Sequence, residues 1–126
     1  MARYVEPTAQ LVVEIFVRDM ARARAFYEGL GFVAGEDKGT FVTLTWEGHE
    51  LYLDERPDLP PPTGRPQANV RVMVPDVDRY WALVQALGAP ILAPIADRDY
   101  GLRDFTVIDP DGFGVRFGIR LVGSHA

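Results

Sequence analysis

Residues 99–117, DYGLRDFTVIDPDGFGVRF, end a strand-like run on an arginine, Arg116, four residues past the glycine of an Asp-Pro-Asp-Gly turn. An arginine there is a fixed positive charge and a five-donor hydrogen-bonding group, suited to holding an anion or a carboxylate and unable to ligate a cation. The groups that could ligate a metal are few. The chain has no cysteine and only two histidines, His49 and His125, the second one residue from the chain end and expected to fray. Strand alternation puts Glu50, Tyr52 and Asp54 on one face and Val12, Glu14 and Phe16 on one face, so Glu14, Glu50 and Asp54 are the carboxylates with a chance of converging. No nucleophile stands beside a base, and the glycine-containing GLGF (Gly29-Leu30-Gly31-Phe32) closes a helix where a phosphate loop would have to open one.

The elements that position these residues come in two copies. Shifted by 57 residues, VEIFVRDMARARAFYEGLGF (13–32) lies over VRVMVPDVDRYWALVQALGA (70–89) with seven identities in twenty positions, including Asp19/Asp76 and Gly31/Gly88. Each copy reads as an alternating strand (11–17 and 70–74), then an aspartate as helix N-cap. An apolar helical stripe follows: Met20, Ala23, Phe26, Tyr27 and Leu30 in the first, Val77, Tyr80, Val84 and Leu87 in the second. A glycine then closes each helix at the position where a positive φ suits only glycine. Strands return at 40–46 and 50–54 around Glu47-Gly48-His49, and at 103–108 and 113–119 around Asp109-Pro110-Asp111-Gly112. Short further strands are predicted near 32–36 and 90–95. RPDLPPPTGRP (56–66) is too rich in proline for helix or sheet and reads as a linker. The unit is βαβββ, twice, an α+β class, with module one over 9–54, a linker over 55–66 and module two over 67–120 of a single 126-residue domain.

Two such modules, with VRDMARARAFYEGLGF early and DYGLRDFTVIDPDGFGVRF late, resemble the glyoxalase/bleomycin-resistance/extradiol-dioxygenase superfamily, the vicinal oxygen chelate fold, over about residues 9–119. The resemblance implies curled mixed sheets forming half-barrels around a cavity. In the metal enzymes it implies ligands on the first and last strand of each module, which here fall on Val12, Tyr52, Asn69 and Arg116. None of these is an ordinary ligand for a hard divalent ion. The resemblance therefore points to a metal-free member that binds a small molecule, in the manner of an antibiotic-sequestering protein, with no cofactor and no catalytic residue. The alternative is a lyase, isomerase or dioxygenase with a displaced metal site at Glu14, Glu50 and Asp54. The implied ligand-binding residues are Glu14, Phe16, Trp46, Tyr52, Asn69, Arg71, Tyr100, Arg103 and Arg116. Glu14 or the neighbouring Glu50 is expected to neutralise Arg71 or Arg116.

Charge sets the expected partners. A formal net charge of −5, with one lysine and twelve dispersed arginines, offers no basic stripe for nucleic acid and suits a cationic ligand, while Phe16, Trp46, Tyr52 and Tyr100 suit an aromatic one. No apolar run approaches the ~20 residues of a membrane span, and the N-terminal stretch has no clean apolar core of a signal peptide. A cytoplasmic homodimer with modules paired within or between chains is the expected form.

Overall fold

The 57-residue repeat reappears as two copies of one topology. The computed structural model describes residues 4–123, so His125 lies outside the described residues. The chain divides between Pro61 and Pro62 into two compact units. In the first, a short 3-10 turn (Pro7–Ala9) precedes β1 (Val13–Val17), α1 (Met20–Leu30), β2 (Val33–Asp37), β3 (Phe41–Trp46) and β4 (His49–Glu55). In the second, β5 (Asn69–Met73) leads to α2 (Val77–Ala86), β6 (Ile91–Asp97), β7 (Leu102–Ile108) and β8 (Gly114–Arg120). The sheets have equivalent orders, β1-β4-β3-β2 and β5-β8-β7-β6. First and last strands pair in parallel and the rest are antiparallel, which makes the class α+β with two mixed sheets.

Local chemistry explains where each element begins and ends. Asp19 Oδ1 accepts from the Arg22 amide at 3.1 Å and Asp76 Oδ1 from the Arg79 amide at 3.2 Å, so both helices start on the expected caps. The first helix has a second anionic cap that sequence spacing did not reveal: Glu55 Oε2, from the end of β4, accepts from the Met20 amide at 2.8 Å. The β3–β4 turn is two residues long, Glu47 at φ 47° and Gly48 at φ 88°, the left-handed pair that matches strand twist. His49 is therefore the first residue of β4 and exposed, paired in register with Trp46. At the β7–β8 turn, Asp109 Oδ1 accepts from the amides of Asp111 and Phe113, both at 2.8 Å. Pro94 sits within β6, which is tolerated because β6 is an edge strand.

Each unit buries one sheet face under its helix. Ile15, Val17, Val42, Leu44, Leu51 and Leu53 pack with Met20, Ala23, Tyr27 and Leu30 in the first. Val72, Phe105, Val107, Val115 and Phe117 pack with Val77 and Val84 in the second, where Tyr80 stacks on Phe117 with ring centroids 5.0 Å apart. Leu87, expected in the buried stripe of α2, is half exposed because the helix ends at Ala86, one residue before it. The opposite face of each sheet carries no helix, and the candidate site residues follow from which side chains point that way.

Candidate functional site

Strand parity sorts the nine candidates. On the helix-free face of the first sheet, the parallel register sets Glu14 beside Tyr52 and Phe16 beside Asp54. Antiparallel pairing adds Thr43 opposite Tyr52 and Phe41 opposite Asp54. Tyr52 donates to Glu50 Oε1 at 3.3 Å and its ring lies 5.3 Å from that of Phe41. Burial, with Glu50, Glu14 and Glu36 around it, pushes the Tyr52 phenol above its ordinary value. Phe16 is half exposed, and the Arg56 guanidinium sits over its ring at 4.6 Å, a contact that shows the ring's π face can hold a cation. Arg56 also donates to Asp54 Oδ2 at 3.0 Å, and this bond holds the Asp54 carboxyl below its ordinary range. Trp46 falls on the other face, with Val42 and Leu44, where its ring lies 4.9 Å from Phe32.

The second sheet repeats the register with different chemistry. Asn69 lies opposite Gly114 and Arg71 opposite Arg116, as Glu14 lies opposite Tyr52 in the first copy. Arg116 is held by Asp104, whose side chain is only 3% exposed: Arg116 Nε donates to Asp104 Oδ2 at 2.9 Å and its Nη2 reaches the same oxygen. From the β6–β7 turn, Arg98 Nε donates to Asp104 Oδ1 at 2.9 Å. Tyr100 donates to Asp104 Oδ2 at 2.7 Å and accepts from Arg116 Nη2 at 2.7 Å. One buried carboxylate thus anchors two guanidiniums and a phenol. Burial alone would push the Asp104 carboxyl up, but the bonds from Tyr100, Arg116 and Arg98 outweigh it and hold it below its ordinary value. The same burial and the bond to Asp104 push the Tyr100 phenol up. The carboxylate that neutralises Arg116 is therefore Asp104 of its own sheet, in place of the expected Glu14 or Glu50.

Glycine makes this reach possible. Gly118 is the register partner of Asp104, and a Cβ there would stand 3.3 Å from the Asp104 Cβ. With no side chain at 118, Arg116 crosses diagonally to β7. Arg103, one residue from Asp104, points to the helix side, where it bridges Asp78 of α2 at 2.8 Å and Asp97 of β6 at 3.0 Å. Two carboxylates on one guanidinium raise its already high affinity for its proton. Its role in this geometry is to fasten α2 to the sheet.

A divalent ion does not fit these residues. Arg116 brings a fixed cation to the last-strand position, Val12 precedes β1 with no donor, and no group of three His, Cys, Asp or Glu that could hold a metal occurs among the described residues. Glu14, Glu50 and Asp54 share a face but do not form such a group.

The model of the Glyoxalase/Bleomycin resistance protein/Dioxygenase superfamily matches residues 9–117. The chain belongs to that superfamily. Solved structures of similar fold include a glyoxalase/dioxygenase from Nostoc punctiforme, with TM-score 0.77, 21% identity and coverage of 95% of this chain and 98% of that one. A glyoxalase/bleomycin resistance protein/dioxygenase from Nocardioides gives TM-score 0.75 and 20% identity over 98% of this chain and 89% of that one. TioX from Micromonospora sp. ML1 gives TM-score 0.72 and 26% identity over 90% and 99%. No curated protein matches. The superfamily's βαβββ modules are the two units described above, and no helix among the described residues is long and apolar enough to cross a membrane.

Proposed function

We propose that this superfamily member is a metal-free small-molecule-binding protein, with antibiotic sequestration as its specific form. One observation carries the reading: the side chain at the last-strand ligand position of the second unit is a guanidinium already fixed on a buried carboxylate. The first sheet's helix-free face supplies the recognition chemistry. Phe41 and Tyr52 present ring surface beside the Phe16 ring that Arg56 covers, and Glu14 and Glu50 bring negative charge beyond the Arg56–Asp54 pair, a combination suited to a planar aromatic cation. We place the protein in the cytoplasm as a homodimer. Half-exposed Val13 and Phe16 on edge strand β1 and Met73 on edge strand β5 support self-association, and a cysteine-free composition suits a reducing compartment.

The test is metal analysis of the purified protein, followed by titration with proflavine as a planar aromatic cation. The reading expects metal far below one equivalent after exposure to Mn, Fe, Ni and Zn. It also expects saturable proflavine binding that Tyr52→Ala weakens about tenfold, the loss of one aromatic contact of roughly 1.4 kcal/mol. Stoichiometric metal that disappears in Glu14→Ala or Glu50→Ala would overturn it.

A further inference from the structure

The two helix-free faces come from one repeat, yet their charges are opposite. On the first sheet, Glu14, Glu50 and Asp54 share the face, and Arg56 pairs with Asp54. On the second, buried Asp104 is shared by Arg98 and Arg116, so a positive charge remains after that pairing. Arg71 adds another. It is exposed on the same face, directly beside Arg116 in the parallel register, and its side chain has no hydrogen bond or ion pair among the described residues. Adjacent strands lie about 4.8 Å apart, so the two arginines rise side by side from β5 and β8, with Arg116 leaning across to Asp104 of β7 and Arg71 left without an anionic partner among the described residues.

The donors are placed to receive it. Arg116 spends Nε and Nη2 on Asp104 and Tyr100, and its Nη1 donates to nothing among the described residues. Asp104 holds that guanidinium in place before any ligand arrives, so little ordering is needed on binding. Gly114 and Gly118, two residues to either side of Arg116 on the same face, leave bare backbone beside it, and a Cβ at 114 would come within 2.9 Å of the Asn69 Cβ. Half-exposed Tyr100 and Met73 supply apolar surface next to the two arginines.

We propose that Arg71 and the outer edge of Arg116 form a carboxylate-binding pair on the second sheet, which seats a small aromatic acid with its ring against Tyr100 and Met73. Guanidinium forks recognise planar carboxylates in two-point geometry, which fits this pair. The proposal uses no residue of the first sheet and goes beyond the reading above. It also runs against the ligand sign suggested by the chain's net charge, because a local field is set by local groups.

The experiment is titration of the ¹⁵N-labelled full chain with 1-naphthoate and, as the uncharged comparator, 1-naphthamide. Expected are shifts of the Arg71 and Arg116 side-chain Nε–H signals and of backbone amides 69–73 and 114–118 with naphthoate, and far weaker binding of the amide. Arg71→Gln should weaken naphthoate at least about tenfold with a dispersed, folded spectrum, while Arg79→Gln on α2 leaves it unchanged. Equal binding of acid and amide, no binding of either, shifts confined to other residues, or an Arg71→Gln variant with wild-type affinity would each overturn the proposal. Stoichiometric bound metal would sink the metal-free reading while leaving a naphthoate preference intact, so the two failures are distinguishable.

Discussion

Asp104→Asn is the sharpest probe of the second unit. The substitution keeps the side chain's shape and removes the charge that holds Arg98 and Arg116, leaving two guanidiniums facing a neutral amide in a site whose carboxylate is 3% exposed. Removing one partner of a buried pair costs about 3–5 kcal/mol; here the two arginine side chains are 26% and 23% exposed, so water relieves part of that and about 3 kcal/mol is expected. At roughly 4 °C per kcal/mol for a domain of this size, Tm falls by about 12 °C. Arg116→Met alone leaves Asp104 bonded to Arg98 and Tyr100 and costs about 1–2 kcal/mol. In the Asp104→Asn background the same change relieves repulsion, so Arg116→Met should there raise Tm. Each unit holds one of the two tryptophans, so a Trp46→Phe background leaves Trp81, whose ring lies 5.3 Å from Phe105, to report the second unit by fluorescence in urea and heat. A loss below about 1 kcal/mol for Asp104→Asn, or an equal cost of Arg116→Met in both backgrounds, would refute the reasoning.

The depressed Asp104 carboxyl gives a pH dependence of known sign: its contribution is fully present above the unfolded value of about 3.9 and is lost as pH falls below it, through the folded value. Melting curves between pH 2 and 6 should therefore be less steep in acid for Asp104→Asn, and identical acid slopes would count against the assignment. Gly112 and Gly48 have nearly equal φ, 87° and 88°, but a Cβ at 112 would stand 2.5 Å from the Pro62 Cβ while one at 48 meets nothing within 4 Å. Gly48→Ala should cost about 1 kcal/mol of backbone strain, and Gly112→Ala clearly more, by urea midpoint; the reverse order would refute the contact with Pro62. Arg103→Met removes two bridges to carboxylates that are 63% and 61% exposed, so its Tm should fall by much less than that of Asp104→Asn; an equal fall would show that α2 depends on this fastening more than screened pairs allow.

The modular fold was legible because its signals are local and occur twice. Asp19 and Asp76 announce the helix starts, Gly31 and Gly88 their ends, and each turn carries residues suited to its backbone. The site was legible only as far as strand parity was followed. Trp46 shares parity with Val42 and Leu44, and Arg103 with Phe105 and Val107, so alternation alone assigns both to the helix side. The family resemblance, by contrast, implies both as ligand-binding residues. The partner of Arg116 was harder to see. Asp104 is twelve residues upstream, and the pair forms only when the β7–β8 register places Asp104 opposite Gly118, diagonal to Arg116. Nothing in the spacing of charges along the chain distinguishes it from Glu14 or Glu50. The exposure of Arg71 and Glu55's reach to the Met20 amide likewise depend on strand pairing, which a local pattern does not encode.

The shared carboxylate also bears on how this scaffold can change. Arg116→Glu, which puts an acidic side chain at that position, would set a second anion against buried Asp104 and leave that carboxylate only Arg98 of its two guanidiniums. That intermediate is strained before any metal is gained, and relieving it requires further change at 104 or 98. The arrangement works as a mutational latch: while Asp104 is shared by two arginines, an acidic residue at 116 comes only with a compensating change elsewhere, whereas exposed Arg71 and Met73 lie outside the shared carboxylate's bonds.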